Sequence, residues 1–281
     1  MSAQIIGGYF SSHVPGIGGA IARGDQDKPY WKPFFDGYPP VRAWLSQTRP
    51  DVAIVFYNDH GLNFFLDAMP TFAVGAAASY PNEDEGWGLP VYKTFQGDPG
   101  LSWHIIEELV GSGFDITMCQ KMKVDHALSI PFELAYPDAD AWPVKIVPVA
   151  INTVQYPLPS PQRCYDLGRA VNRALQSWQD DTRVVVIGSG GLSHQLDGAR
   201  AGFINADYDR FCLDHLANDP QALLRHSTEE VAAIAGTQGV EIVNWIAARG
   251  ALGDGAQAEV TRNYHIPISN TAAATLVLTP A

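Results

Sequence analysis

Hydrophobic and polar positions along this chain fall into two alternating kinds of segment. One kind is a short, unbroken apolar run rich in β-branched residues, the mark of a strand covered on both faces. Such runs predict strands over residues 4–10, 52–57, 114–120, 144–151, 183–187 and 272–278. The other kind carries apolar residues at helical spacing. Val41, Trp44 and Leu45 predict a helix over 39–48, Leu101, Ile105, Ile106 and Leu109 one over 100–112, and Cys164, Leu167, Val171, Ala174 and Leu175 one over 161–178. Two or three more helices are expected between 205 and 250, the last of them near 238–249. Pro148 inside its apolar run predicts an edge strand or a bulge. Residues 28–38, aromatic and proline-rich, read as an irregular wall. Residues 70–96, broken by Pro70, Pro81, Gly86, Gly88 and Pro90 around the acidic run Glu83-Asp84-Glu85, read as a long functional loop or lid. Strands alternating with helices, with no repeat and no linker, predict an α/β fold. The expectation is a single domain over 1–281 with a mixed central β-sheet flanked by helices on both faces.

The ends of the strands carry the chemistry. Val184 to Ile187 runs into Gly188-Ser-Gly-Gly191 and delivers Ser193 and His194. The run 52–57 ends in Asn58-Asp59-His60, and 4–10 opens into a loop holding His13, Pro15 and Gly16. The run 114–120 precedes Asp125-His126. In α/β proteins the carboxyl edge of the sheet is where loops place functional groups. His13, His60, His126 and His194 are therefore expected to converge on one crevice, whereas His104, His215, His226 and His265 read as surface or packing residues.

Glu241 is the second clue, because it stands in an otherwise apolar helical stretch. A carboxylate there is either stabilised by a helix N-terminus or paired with a cation. Two neutral imidazoles and one carboxylate form the facial triad of non-haem Fe(II) oxygenases, and on residue types alone they equally form a hydrolytic zinc site. The residues by themselves reach a metal enzyme with a His/His/Glu set and a spare histidine.

Composition narrows the partners. A formal net charge of −12 over 281 residues excludes a nucleic-acid footprint and attraction to an anionic membrane. An anionic ligand must then be held by local donors. Cys119, Cys164 and Cys212 lie far apart with no CxxC pair, which argues against a thiolate zinc site and for a reducing compartment. The first residues have no basic n-region, and no run approaches the roughly 20 apolar residues of a membrane span, so a cytoplasmic location is expected.

Ordered landmarks carry a resemblance. They are SSHVP (Ser11 to Pro15), YNDH (Tyr57 to His60), DEGWG (Asp84 to Gly88), VDHALSIP (Val124 to Pro131), GGLSHQL (Gly190 to Leu196), GVEIVNW (Gly239 to Trp245) and YHIPISNTA (Tyr264 to Ala272). In this order, across almost the whole chain, they resemble the class III extradiol ring-cleavage dioxygenase family, and within it the catalytic β subunits of protocatechuate 4,5-dioxygenases. The resemblance implies that His13, His60 and Glu241 bind Fe(II), that His194 is the catalytic acid/base, and that His126 is a second histidine near the substrate. Ser269 and Asn270 match residues that contact the ring carboxylate. The implied reaction opens a carboxylated catechol such as protocatechuate beside its two hydroxyls. It inserts both atoms of O2 and yields a muconic semialdehyde without an external reductant. That agrees with the lack of a GxGxxG fingerprint and of an iron–sulfur cysteine pattern. Because the sequence stops at Ala281, after the last predicted strand, a separate small α subunit or a closed homo-oligomer is expected to cap the site. Gallate, 3-O-methylgallate, an aminophenol or a hydroxypyridone stay open as substrates. A zinc-dependent or a non-catalytic member of the fold stays open as well.

Overall fold

The most apolar runs of the chain become the middle of one sheet, where both faces need cover. The structure, a computed structural model, describes residues 2–266 and 270–281. Its elements begin with β1 (Gln4–Ser11), α1 (Pro15–Ala22), α2 (Lys32–Phe35), α3 (Tyr38–Thr48) and β2 (Val52–Tyr57). Next come β3 (Phe72–Gly75), β4 (Ser79–Tyr80), β5 (Phe95–Gln96), α4 (Pro99–Gly111), β6 (Thr117–Cys119) and α5 (His126–Ala135). Then follow β7 (Lys145–Ile151), α6 (Pro161–Ser177), β8 (Arg183–Ser189), α7 (Ala206–Asn218) and α8 (Thr228–Ala235). The 3-10 turn Gly239–Glu241 leads into α9 (Ile242–Ala251), and β9 (Gln257–His265) and β10 (Ala273–Pro280) close the chain. Among the described residues, no helix is long and apolar enough to cross a membrane.

Eight strands form one sheet in the order β6-β3-β7-β2-β8-β1-β10-β9, and β4 and β5 pair separately. The central four, β7, β2, β8 and β1, are parallel. Strands β10 and β9 run antiparallel on one side and β3 antiparallel to β7 on the other, so the sheet is mixed. Alternation along each strand serves two apolar layers. On β2, Ile54 and Phe56 belong to a layer that includes Ile105 of α4, Val171 of α6 and Trp245 of α9. Ala53, Val55 and Tyr57 belong to the other, with Leu45, Leu128 and Phe132. Each such large side chain taken from water contributes roughly 1.5–3 kcal/mol. Helix starts are local: Asp98, Ser160 and Asn205 accept from Leu101, Arg163 and Tyr208 amides at 3.1, 3.2 and 3.1 Å.

Five details differ from the sequence expectation. Strand β7 is interior, yet its ladder to β3 spans only Val149 to Ile151, so Pro148 lies where β7 is paired on the β2 side alone. The stretch 70–96 is not all loop, since β3 inserts four buried residues into the main sheet. The region after His13 is helical, with Pro15 at the first position of α1, where its missing N–H costs nothing. A strand, β9, precedes the last one. And His126 opens helix α5 rather than ending a strand, with the Asp125 side chain as the cap.

Strand order places the site. β8 lies between β1 and β2, so the loops leaving Ser11, Tyr57 and Ser189 meet at one edge. The glycines after Ile187 are clearance for the start of α9. A Cβ on Gly188 would lie 2.9 Å from the Trp245 Cα, and one on Gly190 would lie 2.8 Å from the Glu241 carbonyl oxygen.

Helices α6 and α9 approach just as closely behind the sheet, and there a Cβ on Gly168 would lie 1.9 Å from the Ala247 carbonyl oxygen. Ala is favoured over Gly inside a helix by about 1 kcal/mol, but this contact forces backbone apart, and overpacking costs about 1–3 kcal/mol or more. Gly168→Ala is therefore expected to lower the melting temperature by about 2–12 °C, at about 2–4 °C per kcal/mol for a large domain. Gly111→Ala, where a Cβ meets nothing within 4 Å, should not lower it. Equal melting temperatures for the two variants would show that the α6–α9 approach limits nothing.

Candidate metal centre

Three strand-end loops and one helix start bring four histidines and a glutamate together. His13 follows β1 by two residues and is buried. Its Nδ1 meets Ser189 Oγ at 2.9 Å, and Ser189 donates its own hydrogen to the Ala127 carbonyl. Ser189 must then accept from His13 Nδ1–H, which leaves Nε2 with a bare lone pair. That Nε2 is 3.4 Å from Glu241 Oε2.

His60 is held the same way. Its Nδ1 donates to Asp125 Oδ2 at 3.0 Å, and its backbone N–H donates to the same oxygen at 2.7 Å. Its Nε2 is 3.6 Å from Glu241 Oε1. The other Asp125 oxygen accepts from the Ala127 amide at 3.0 Å and caps α5. One fully buried carboxylate thus fixes both His60 and the helix that begins with His126.

Glu241 reaches the same point from the opposite face, at the 3-10 turn before α9. Gly191 N–H donates to its Oε2 at 2.7 Å and Asn58 Nδ2 to its Oε1 at 3.1 Å. Asn244 holds Asn58 in place through a 3.0 Å bond to its Oδ1. Ring nitrogens of His13, His60 and His126 lie within 4.8 Å of one another. Charge follows geometry. Burial lowers the His13 pKa, and Glu241 offsets this only in part. Burial also opposes charge on His60, but Asp125 and Glu241 outweigh it and push its pKa up to about 10. Burial is outweighed at the carboxylates too: His60 brings Asp125 down to about 2, and His13 and His60 hold Glu241 well below the usual range.

His194 sits on the glycine turn after β8, and it packs with Glu241 against Gly191. Its backbone N–H donates to the Ala235 carbonyl at 2.9 Å, and its Nδ1 lies 2.9 Å from the Leu192 carbonyl. A carbonyl only accepts, so Nδ1 carries the hydrogen and Nε2 is the free nitrogen. All four histidines line one cavity of about 480 Å³. Glu241, Asn58, Gln238 and Thr271 are among its other polar residues; Val14, Trp87, Val154, Leu158 and Leu196 are among its apolar residues. No lysine or arginine is among the described lining residues. The remaining four histidines lie elsewhere: His104 bonds to Ala174 and Ser177, His215 to Phe211 and His265 to Tyr30, and His226 Nδ1 is 4.0 Å from Glu230 Oε2.

The donor set fits a divalent transition metal. Two Nε2 atoms and a carboxylate converge on one point, each imidazole is oriented by a hydrogen bond at its far nitrogen, and a metal there would replace the proton that Asp125 and Glu241 favour on His60. Asn270 is exposed at φ 57°, beside Gly202, while its neighbour Thr271 lines the cavity. Ser269 lies outside the described residues. Asp125, Ser189 and Asn58 are site residues that the sequence reading did not single out. Asp125 and Asn58 stand inside the VDH and YNDH landmarks, so adjacency was their one signal.

The His60–Asp125 pair sets a pH dependence in metal-free protein. A histidine whose pKa is raised by folding stabilises fully below its unfolded value of about 6.5 and loses that stabilisation as pH rises through about 10. Asp125 acts at the acid end, where its stabilisation is lost as pH falls through about 2. In chelator-treated protein, the gap in melting temperature between wild type and Asp125→Asn is expected to narrow between pH 6.5 and pH 10. A gap that stays constant across that window would place the source of the difference elsewhere.

Comparisons with known proteins show the family of the chain. The family model described as the catalytic LigB subunit of aromatic ring-opening dioxygenase matches residues 7–274. A gallate dioxygenase of Pseudomonas putida is 36% identical over 195 residues, covering 69% of this chain and 57% of that protein. A 2,3-dihydroxyphenylpropionate/2,3-dihydroxicinnamic acid 1,2-dioxygenase of Rhodococcus globerulus is 28% identical over 279 residues, covering 82% of this chain and 85% of that one. The first match thus spans little more than half of its relative's length. A crystal structure of a protein from Escherichia coli K12 aligns over 98% of this chain and all of that one with a TM-score of 0.58 at 13% identity, a likeness of fold alone. With the family match running from β1 into β10 and enclosing every residue of the cluster, the chain belongs to the family of catalytic LigB subunits of aromatic ring-opening dioxygenases.

Proposed function

We propose that this chain, as a single catalytic domain over 1–281, is an Fe(II)-dependent extradiol dioxygenase acting on a carboxylated catechol such as protocatechuate. The observation that carries the reading is the convergence of His13 Nε2, His60 Nε2 and the Glu241 carboxylate beside a histidine, His194, whose own Nε2 is free. His13, His60 and Glu241 would hold the iron. When bound, Fe(II) supplies a Lewis acid for the two diol oxygens, an open position for dioxygen and a path for electrons between them.

The chain's own residues do the rest. His194 Nε2 takes a proton from a diol hydroxyl and, as imidazolium, returns it as the ring opens. Leu192 fixes the tautomer this requires. His126 lines the same cavity and serves as a second hydrogen-bonding group for the substrate. The apolar lining flanks the ring and excludes water. Both oxygen atoms enter the product, one ring carbon–carbon bond breaks, and the diol supplies all the electrons. Ser269 and Asn270 are proposed to meet the ring carboxylate. The similarity to a gallate dioxygenase makes gallate the second substrate to try. A separate small α subunit or a second copy of the chain is proposed to cover the cavity, and the location is proposed to be cytoplasmic.

Fe(II)-loaded protein, purified without oxygen, is expected to consume oxygen with protocatechuate or gallate and to give the yellow absorbance of a ring-opened semialdehyde. No uptake with any catechol, with or without a co-expressed α subunit, would sink the reading. His194→Ala should keep its iron and lose about 10²- to 10⁴-fold in turnover; near-normal turnover removes His194 from the chemistry. Glu241→Ala should lose tight iron binding by metal analysis, and full occupancy in that variant removes Glu241 from the ligand set.

A further inference from the structure

Glu85 is buried where a carboxylate has little reason to be. Its side chain is 1% exposed, although Gly86, Trp87 and Gly88 beside it are on the surface. Its Oε1 meets His126 Nδ1, and its Oε2 is buried with no hydrogen-bond partner among the described residues. An unsatisfied buried carboxylate oxygen is costly, so its place needs a cause.

The loop that carries it is built to deliver it. Asn82 Nδ2 donates to the Val124 carbonyl at 2.8 Å, and Asn82 Oδ1 accepts from the Tyr92 amide at 2.6 Å. Both ends of the loop are thereby tied to the residue that precedes Asp125-His126. Between them, the Asp84 carboxylate accepts from the amides of Trp87, Gly88 and Leu89 at 3.2, 2.9 and 3.0 Å and folds the chain back at Glu85. Glu85 is thus set in register on His126, and Trp87 is set on the cavity lining.

The other three histidines of the cavity follow one rule. Each has Nδ1 engaged by an acceptor, Ser189, Asp125 or the Leu192 carbonyl, and each lines the cavity with Nε2 as its remaining nitrogen, that of His60 lying 3.2 Å from Asn58 Nδ2. Glu85 extends the rule to His126, and it does so from the loop between β4 and β5. A carboxylate accepting from Nδ1–H fixes the tautomer and the orientation of the ring.

We propose that Glu85 is a positioning residue that acts through His126. It holds the Nδ1–H form and presents Nε2 to the cavity as an acceptor for a hydrogen of the diol. Only the identity of that hydrogen's owner rests on the ring-cleavage reading.

The tautomer is read directly from imidazole nitrogen shifts in chelator-treated, ¹⁵N-histidine-labelled protein, with His126→Ala assigning the signal. Wild type is expected to show Nδ1–H at His126, Glu85→Ala to lose it, and Glu85→Gln, whose carbonyl still accepts, to keep it. In Fe(II)-loaded enzyme, Glu85→Ala should lower turnover about 10- to 100-fold at unchanged iron content, and Glu85→Gln should recover most of it. In the His126→Ala background, Glu85→Ala should cost nothing further. Should the alanine variant fail to fold, Glu85→Asp, too short to reach Nδ1, takes its place. An unchanged tautomer, or the same loss with and without His126, overturns the proposal. If no catechol is cleaved at all, the ring-cleavage reading falls while the tautomer measurement still decides the role of Glu85.

Discussion

A carboxylate buried between two imidazoles is the constraint on which the rest of this structure depends. Moving Glu241 out of water costs several kcal/mol unless charge and hydrogen bonds answer it. Gly191 N–H and Asn58 answer part, and the rest falls to His13 and His60. For Glu241 to arrive there, the start of α9 must lie against the end of β8, and only glycine leaves room at 188 and 190. For the histidines to meet it, β8 must lie between β1 and β2. Strand order, the glycine run and the placement of α9 are one requirement expressed at three scales.

The surroundings of the cluster do a second task, which is to decide which nitrogen of each ring faces inward. An imidazole is useful as a ligand or a base only when its lone pair points at the site. Ser189 and the Leu192 carbonyl settle this with neutral acceptors, Asp125 with a charged one. The difference shows in the electrostatics. His13, on a hydroxyl, is pushed toward the neutral form by burial, whereas His60, on a carboxylate, is pushed toward the charged form.

Much of this was legible in the residues. Strands β1, β2, β7 and β8 are unbroken apolar runs because both faces are covered, and a histidine just past three of the strand ends marked one edge of the sheet. Glu241 stood out because it interrupts an apolar stretch that reads as helical, although it lies in the turn before α9. Other parts left weaker traces. β3 contributes only four residues, and β9, at the sheet edge with its residues largely out of the core, has too polar a sequence to read as a strand. Three glycines in eight residues concealed α1. The residues that orient the histidines were not legible as such, because their role lies in contacts between positions far apart, such as His13 and Ser189, 176 residues from each other.

The threading of β1 has a consequence for how the molecule is made. The first strand of the chain is flanked in the sheet by β8 and β10, so it cannot be placed until residues of the last third have emerged. Pairings this distant in sequence slow folding, since chain entropy is lost before contacts compensate it. The cluster joins positions 13, 60 and 241, and no shorter fragment assembles it. A metal bound there would be a report that the sheet had closed, and its binding energy would count entirely toward the finished fold.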